Sequence, residues 1–297
     1  MKRFAAFAFS ILVLAVVPLF LSAQNAQGKR YALLVGVMNY EHDHLKPLRN
    51  TENDVLQFGA LLKEAGYEVV VLCESEGRKN AARTPLRENI EREAAAVLAK
   101  MKRLDTLVIG LAGHGVQFEK DEEGKPLTDA YFCPADAKPF VNQRQTLISI
   151  SKLYEDMDQH FGVKVLLVDA CRNDPKIPMS GVNADNAPRP PRGVAALFSC
   201  SAGEKAWEHP TLKHGVFFHH VLEGMRGKAR NAKGQVDVLS LAAYVNGQVS
   251  EEVPTLIGDG AKQSPNIKAD LSGASPILLD LRPVASSGAD REDGEGE

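Results

Sequence analysis

The chain has 297 residues, 44% hydrophobic and 25% charged, with a formal net charge of −3. That is globular composition with length for a sizeable core, and it lacks the basic field of a nucleic-acid binder, so no nucleic-acid partner is expected. Its four cysteines, Cys73, Cys133, Cys171 and Cys200, are widely spaced with no CxxC pair, which excludes a zinc ribbon, a thioredoxin-like motif and a small disulfide framework.

Residues 1–23 read as a secretory signal: Lys2 and Arg3, an apolar run from Phe4 to Leu21, then small residues before Gln24. Export to a periplasmic or extracellular space is the expectation. An uncleaved leader would instead act as an N-terminal anchor. Nothing later resembles a membrane span. The first strand is read over Arg30–Val37, followed by a polar loop with His42 and His44. That HDH pair has a metal-ligand spacing but no supporting cluster, so loop histidines are expected. Val55, Phe58, Leu61, Leu62 and Ala65 have helical spacing within Asn53–Ala65, and Gly66 ends the helix. Tyr67–Leu72 is a second strand and 74–85 a polar loop. Pro85–Met101 is an amphipathic helix, and Asp105–Ala112 a third strand leading to His114. Residues 116–130 read as an acidic excursion before a short edge strand or hairpin at Tyr131–Cys133, where Pro134 follows. A helix over Ile148–Phe161, starting near Ser149 or Ser151, precedes the strand Val163–Val168.

Residues 174–193 are rich in proline and read as a flexible linker. Beyond it come a strand at Val194–Ser199, helices at His214–Met225 and Val236–Val249, and a short strand after Gln263-Ser264-Pro265. From Pro283 the chain becomes a Ser-, Gly- and acid-rich tail that reads as disordered. The alternation of strand and helix predicts a mostly parallel six-stranded sheet with helices on both faces, one α/β domain over 30–282.

Two strands end in reactive side chains. VKVLLVDACRND carries Cys171 just past an apolar run, and LVIGLAGHG delivers His114 between two glycines. Open α/β sheets place ligand sites at such strand ends. A thiolate is the nucleophile, and an imidazole can take its proton and later return it to a leaving amine. The backbone N–H groups of Gly115 and Cys171 are the expected oxyanion donors. Polar neighbours, Asp169 and Arg172-Asn173-Asp174, set Cys171 apart from Cys73, Cys133 and Cys200, which read as core thiols. His160, His209, His214, His219 and His220 lack a glycine frame and a preceding strand. His219 and His220 lie mid-helix and read as packing or surface residues.

These segments resemble the caspase-like cysteine peptidases of clan CD, and most closely bacterial metacaspase-like members. RYALLVGVMNY, LRNTENDVLQFGALLKEAGYEVV, LVIGLAGHG, LLVDACRND, VAALFSCSAGEKAWE with HGVFFHHVLEGMRG, and QSPNI match in order over roughly residues 30–270. The resemblance implies a three-layer caspase-like fold with a His114–Cys171 dyad, a large-subunit-like part at 30–173 and a small-subunit-like part at 194–282. It also implies that Asp169 and Asp54, the aspartate of the Asn53-Asp54 pair, form an acidic pocket for arginine or lysine. Two carboxylates suit a guanidinium and repel an acidic side chain. Asp54 equally fits the dipole at a helix start. Trp207 lies where relatives shape the substrate groove, and a packing role is as good a reading. Lys176, Arg189 and Arg192 become candidate sites of self-cleavage in the linker. Some metacaspases need calcium; Asp121-Glu122-Glu123 lacks the regular ligand spacing of a calcium loop, so no metal or other cofactor is assigned. The expected partners are protein or peptide substrates with a basic residue before the scissile bond. A catalytically silent caspase-like binding module and an envelope amidase or transpeptidase with the same dyad are the competing readings. The oligomeric state is not written in the sequence.

Overall fold

The computed structural model describes residues 28–122, 125–170, 188–201, 204–271 and 273–282. Strand β1 (Arg30–Gly36) leads into helix α1 (Thr51–Glu64), whose Val55, Phe58 and Leu62 are buried at helical spacing. Gly66 ends the helix with φ +83°, a left-handed turn that glycine adopts freely. Strand β2 (Glu68–Leu72) follows, then helix α2 (Glu74–Lys79), a 3-10 turn at Ala81–Arg83 and helix α3 (Arg87–Lys100). Strand β3 (Thr106–Ala112) precedes a hairpin of β4 (Gly115–Glu122) and β5 (Lys125–Phe132), joined by the short β6 (Ile148–Ser149). Helix α4 (Ile150–Asp158) starts on Ser149, whose Oγ accepts the Lys152 N–H at 3.1 Å. Strands β7 (Val163–Asp169) and β8 (Val194–Phe198) are almost wholly buried. The two-residue strands β9 (Glu208–His209) and β10 (His214–Gly215) pair antiparallel before helix α5 (Val216–Glu223). Strand β11 (Gln235–Asp237), helix α6 (Val238–Ile257), strand β12 (Asn266–Asp270) and strand β13 (Ile277–Asp280) complete the order.

The main sheet has six strands in the order β12-β8-β7-β3-β1-β2, parallel except for β12. Its alternate side chains feed two cores, as the two-residue strand period requires. Leu34, Val108, Val165 and Leu197 pack with α1, α5 and α6, where Phe217 and Phe218 are fully buried. Leu33, Ile109, Leu166 and Ala196 pack with α3 and α4. Burying a Phe or Leu of this kind contributes roughly 1.5–3 kcal/mol each. The three-layer arrangement is the one expected from the alternation of elements.

Several local expectations need correction. Residues 74–85 are not a loop. Helix α2 buries none of its residues, so it has no apolar stripe to read. It is held by polar contacts instead: Glu74 Oε1 accepts the Met38 and Asn39 N–H groups, both at 2.8 Å. The acidic excursion at 116–130 is the β4–β5 hairpin, with Val116, Phe118 and Tyr131 inward in a third, small core. Its charged residues hid that alternation. His214 and Gly215 are not helical, and α5 begins only at Val216. Helix α6 runs on to Ile257 from a capping box at Asp237 and Ser240.

Candidate active site

Strand order positions the site. From β1 the chain moves outward to β2, then returns to the other side of β1 as β3. The crevice beyond the carboxyl ends of β1 and β3 is therefore a topological switch point, where open sheets bind ligands. His114 follows β3 into it, and the loop after β1 supplies the residues that hold the ring.

His114 is 7% exposed. Its N–H donates to Tyr40 Oη at 2.7 Å, and the Tyr40 ring lies 5.0 Å from the imidazole. Nε2 sits 2.8 Å from the Lys46 carbonyl oxygen. A carbonyl only accepts, so Nε2 carries the proton and the neutral ring presents Nδ1 as its basic nitrogen. Lys46 was not singled out in the sequence. A backbone carbonyl leaves no residue-type signal, and the HDH loop around it drew attention to its histidines instead. Those rings, His42 and His44, pack on Phe140 at 5.1 and 5.2 Å.

The two glycines framing His114 serve close approach rather than a left-handed turn, since neither has a positive φ. A Cβ on Gly113 would lie 2.8 Å from Tyr40 Oη and 2.9 Å from Phe132. One on Gly115 would lie 2.1 Å from the Ala170 carbonyl oxygen. Replacing Gly115 with alanine should therefore push the ends of β3 and β7 apart. The expected result is a loss of about a hundredfold in kcat/KM, the cost of an ångström-scale misplacement, with overpacking costing about 1–3 kcal/mol of stability. Steady-state kinetics beside denaturant unfolding checks both. A variant with wild-type turnover would contradict the steric argument.

Strand β7 reaches the same end of the sheet in step with β3, as Ala112 pairs with Asp169 and the Gly113 N–H donates to the Asp169 carbonyl at 3.0 Å. Cys171 lies outside the described residues, and its contacts are not described.

The two aspartates of the expected pocket come together. Asp54 is fully buried in the first turn of α1, and Asp169 is 2% exposed at the end of β7. Asp54 Oδ1 accepts His214 Nδ1–H at 2.6 Å, and Oδ2 accepts the Gly215 N–H at 3.2 Å. A Cβ on Gly215 would lie 2.8 Å from Asp169 Oδ2 and 3.3 Å from Asp54 Oδ2. Both carboxylates thus flank one glycine. Asp54 also occupies the dipole-favoured first turn. His214, read from the sequence as the first residue of a helix and given no role there, is a buried partner of Asp54. Burial pushes its imidazole below the ordinary histidine range, and the Arg226 charge adds to that.

A sequence model of the caspase domain, Peptidase C14, matches residues 29–274. The chain belongs to the caspase-domain family. Solved structures similar to it include protein GSU0716 from Geobacter sulfurreducens, 15% identical with a TM-score of 0.59 over 86% of this chain and 98% of that one. Caspase-1 from Spodoptera frugiperda is 16% identical with a TM-score of 0.57 over 87% of this chain and 92% of that one. The structure titled pro-sf-caspase-1 is 18% identical with a TM-score of 0.54 over 90% and 96%. At these identities the likeness is one of fold. No curated protein matches the sequence.

Within this caspase domain Trp207 is half-buried and its backbone is fixed from both sides. Its N–H donates to Gln263 Oε1 at 3.0 Å and its carbonyl accepts the Val216 N–H at 2.8 Å. Gln263, the first residue of the QSPNI segment, also donates to the Ser199 carbonyl at 3.0 Å. It ties the end of β8 to the Trp207 segment. Cys73, Cys133 and Cys200 are buried and unbridged. Burial pushes the Cys133 thiol well above its ordinary range, as befits a core thiol. Arg189 and Arg192 are exposed, while Lys176 lies outside the described residues. Asp121 and Glu122 fall in β4 and Glu123 lies outside the description. Among the described residues no group of three His, Cys, Asp or Glu side chains could hold a metal ion, and no helix is long and apolar enough to cross a membrane.

Proposed function

We propose that this protein is an exported cysteine endopeptidase that cleaves after arginine or lysine. The observation that carries the specificity is the meeting of Asp54 and Asp169 around Gly215, one strand away from His114. Two buried carboxylates side by side repel each other. A guanidinium or ammonium between them removes that cost and adds charge-assisted hydrogen bonds. An acidic side chain would add a third like charge.

In this reading the Cys171 thiol gives its proton to His114 Nδ1, and the thiolate attacks the carbonyl that follows the basic residue. The Lys46 carbonyl keeps the ring oriented through Nε2–H and favours the imidazolium that forms. The Gly115 and Cys171 N–H groups receive the oxyanion. The imidazolium then protonates the departing amine, and water hydrolyses the thioester. Support for Cys171 comes from its place in the chain. It follows Ala170, whose carbonyl closes on Gly115.

Fluorogenic peptides ending in Arg, Lys, Asp or Asn, assayed with and without calcium, test the proposal. Release after Arg and Lys is expected. Release after Asp alone would overturn the pocket, and no turnover with no alkylation of Cys171 would leave a binding module.

Self-processing in the linker follows from the same specificity. Of the described candidates, the bond after Arg192 is favoured, because the bond after Arg189 leads into Pro190, which has no N–H. The pairing of Val194 with Lys164, and of Lys164 with Leu107, puts Gly193 level with the start of β3. His114 lies beyond the far end of that strand, at least about 17 Å away at 3.3 Å per residue. A molecule with β8 in its sheet cannot reach its own Arg192. Cleavage there is expected to occur between copies, with a rate that rises with the square of protein concentration. Intact mass over a dilution series, with a Cys171→Ala control, reads this out. A concentration-independent half-life, or cuts that persist in the alanine variant, would contradict it.

A further inference from the structure

The turn before α5 is built with unusual care. Lys213 has φ +54°, the one positive φ outside glycine among the described residues, a strained state that needs support from its surroundings. Asn53 provides it: one Nδ2–H donates to the Lys213 carbonyl at 2.8 Å. Nδ2 also lies 3.4 Å from His214 Nε2. The carboxylate of Asp54 accepts only, so His214 must carry its proton on Nδ1. Its Nε2 is then an acceptor, which suits the second Nδ2–H of Asn53. Gln57 Nε2 in turn donates to Asn53 Oδ1 at 3.2 Å. The chain Gln57, Asn53, His214, Asp54 therefore runs donor to acceptor without conflict, and it holds the imidazole neutral.

Gly215 matters for a different reason. Its backbone, φ −61° and ψ 140°, is open to any residue. Glycine is needed there because a Cβ would stand between the two carboxylates. The turn also lies after the linker, whereas Asn53, Asp54 and Asp169 lie before it.

We propose that the His214–Gly215 turn is the third wall of the basic pocket: His214 is a positioning residue that aims Asp54, and Gly215 leaves the space that the substrate's basic side chain fills. The pocket is therefore completed by the small-subunit-like part closing on the large. This rests on the reading of Asp54 and Asp169 as the site for the basic side chain.

Three variants of the full chain test it against Arg- and Lys-ended peptides, with iodoacetamide alkylation of Cys171 as a probe that uses no pocket. His214→Ala should raise KM roughly tenfold to a hundredfold, the effect of losing a hydrogen bond to a charged group, with kcat within a few fold. His214→Asn should recover most of that loss, because its Nδ2 stands as many bonds from Cα as the histidine Nδ1. Gly215→Ala should lose turnover of basic peptides by about a hundredfold or more, since a misplaced or excluded substrate forfeits that much. Alkylation rates should stay within about threefold throughout. If His214→Ala fails to fold, Gly215→Ala still decides, because its backbone conformation suits alanine. Wild-type turnover of basic peptides with KM unchanged in both His214→Ala and Gly215→Ala would overturn this inference alone. So would alkylation that falls in parallel with turnover. A wild-type protein that cleaves only after non-basic residues would overturn the pocket reading and this inference together.

Discussion

Replacing His114 with alanine is expected to lower peptide turnover by about 10⁴-fold while the protein stays folded. The size follows from what the ring does in the proposed chemistry. Without it the thiol loses the base proposed to take its proton at neutral pH, and the leaving amine loses the acid proposed to return it. Folding should survive because the backbone contacts of position 114 belong to the main chain. The N–H to Tyr40 Oη and the carbonyl that accepts the Cys133 N–H at 2.9 Å both remain. What is lost is the ring contact with Tyr40 and the bond to Lys46, about 1–3 kcal/mol of stability. Cys171→Ala should be as severe. The double variant should be no worse than either single one, because residues that act as a unit do not contribute additively. Single-turnover kinetics on all three proteins, beside circular dichroism, gives the answer. A His114→Ala enzyme within tenfold of wild type would remove His114 from the chemistry. A double variant with multiplied losses would show that the two residues act separately.

Much of this was legible in the sequence, and what was missed shares a physical cause. The central strands β1, β3, β7 and β8 were visible because buried strands are apolar runs, and α1 because Val55, Phe58 and Leu62 repeat on one face. The extent of the β4–β5 hairpin through the acidic excursion and the helix α2 were not. One carries charge over its alternation and the other has no buried face, so hydrophobic pattern cannot find either. The same divide runs through the site. Asp54 and Asp169 could be picked out on motif resemblance, and the structure brings them to one glycine. The partner of Asp54, His214, lies 160 residues from it and follows no strand of any length. It could be found only by folding the chain. Lys46 was out of reach altogether, because its contribution is a carbonyl that every residue possesses.

Replacing Asp169 with asparagine is expected to cut kcat/KM for Arg-ended peptides roughly a hundredfold to a thousandfold, and to leave the chemistry of Cys171 nearly untouched. Asparagine keeps the shape and removes the charge. Asp169 is 2% exposed and Asp54 fully buried, so water screens neither from a bound guanidinium. Truncating one partner of such a buried charge pair costs about 2–5 kcal/mol, and the expected loss, about 3–4 kcal/mol at roughly 1.4 kcal/mol per tenfold, is the middle of that range. Alkylation of Cys171 by iodoacetamide, which uses no pocket, should keep its rate while turnover falls. That split separates a specificity role from a structural one: a residue needed only for packing would lose both. Lys-ended peptides should suffer less than Arg-ended ones, since an ammonium makes no bidentate pair. Asp169→Asn and Asp54→Asn together should cost less than the product of the single effects, because both act on one cation. No turnover of Asp-ended peptides should appear, since removing one negative charge supplies no positive one. Equal kcat/KM for Arg-ended peptides in wild type and Asp169→Asn would take Asp169 out of the pocket.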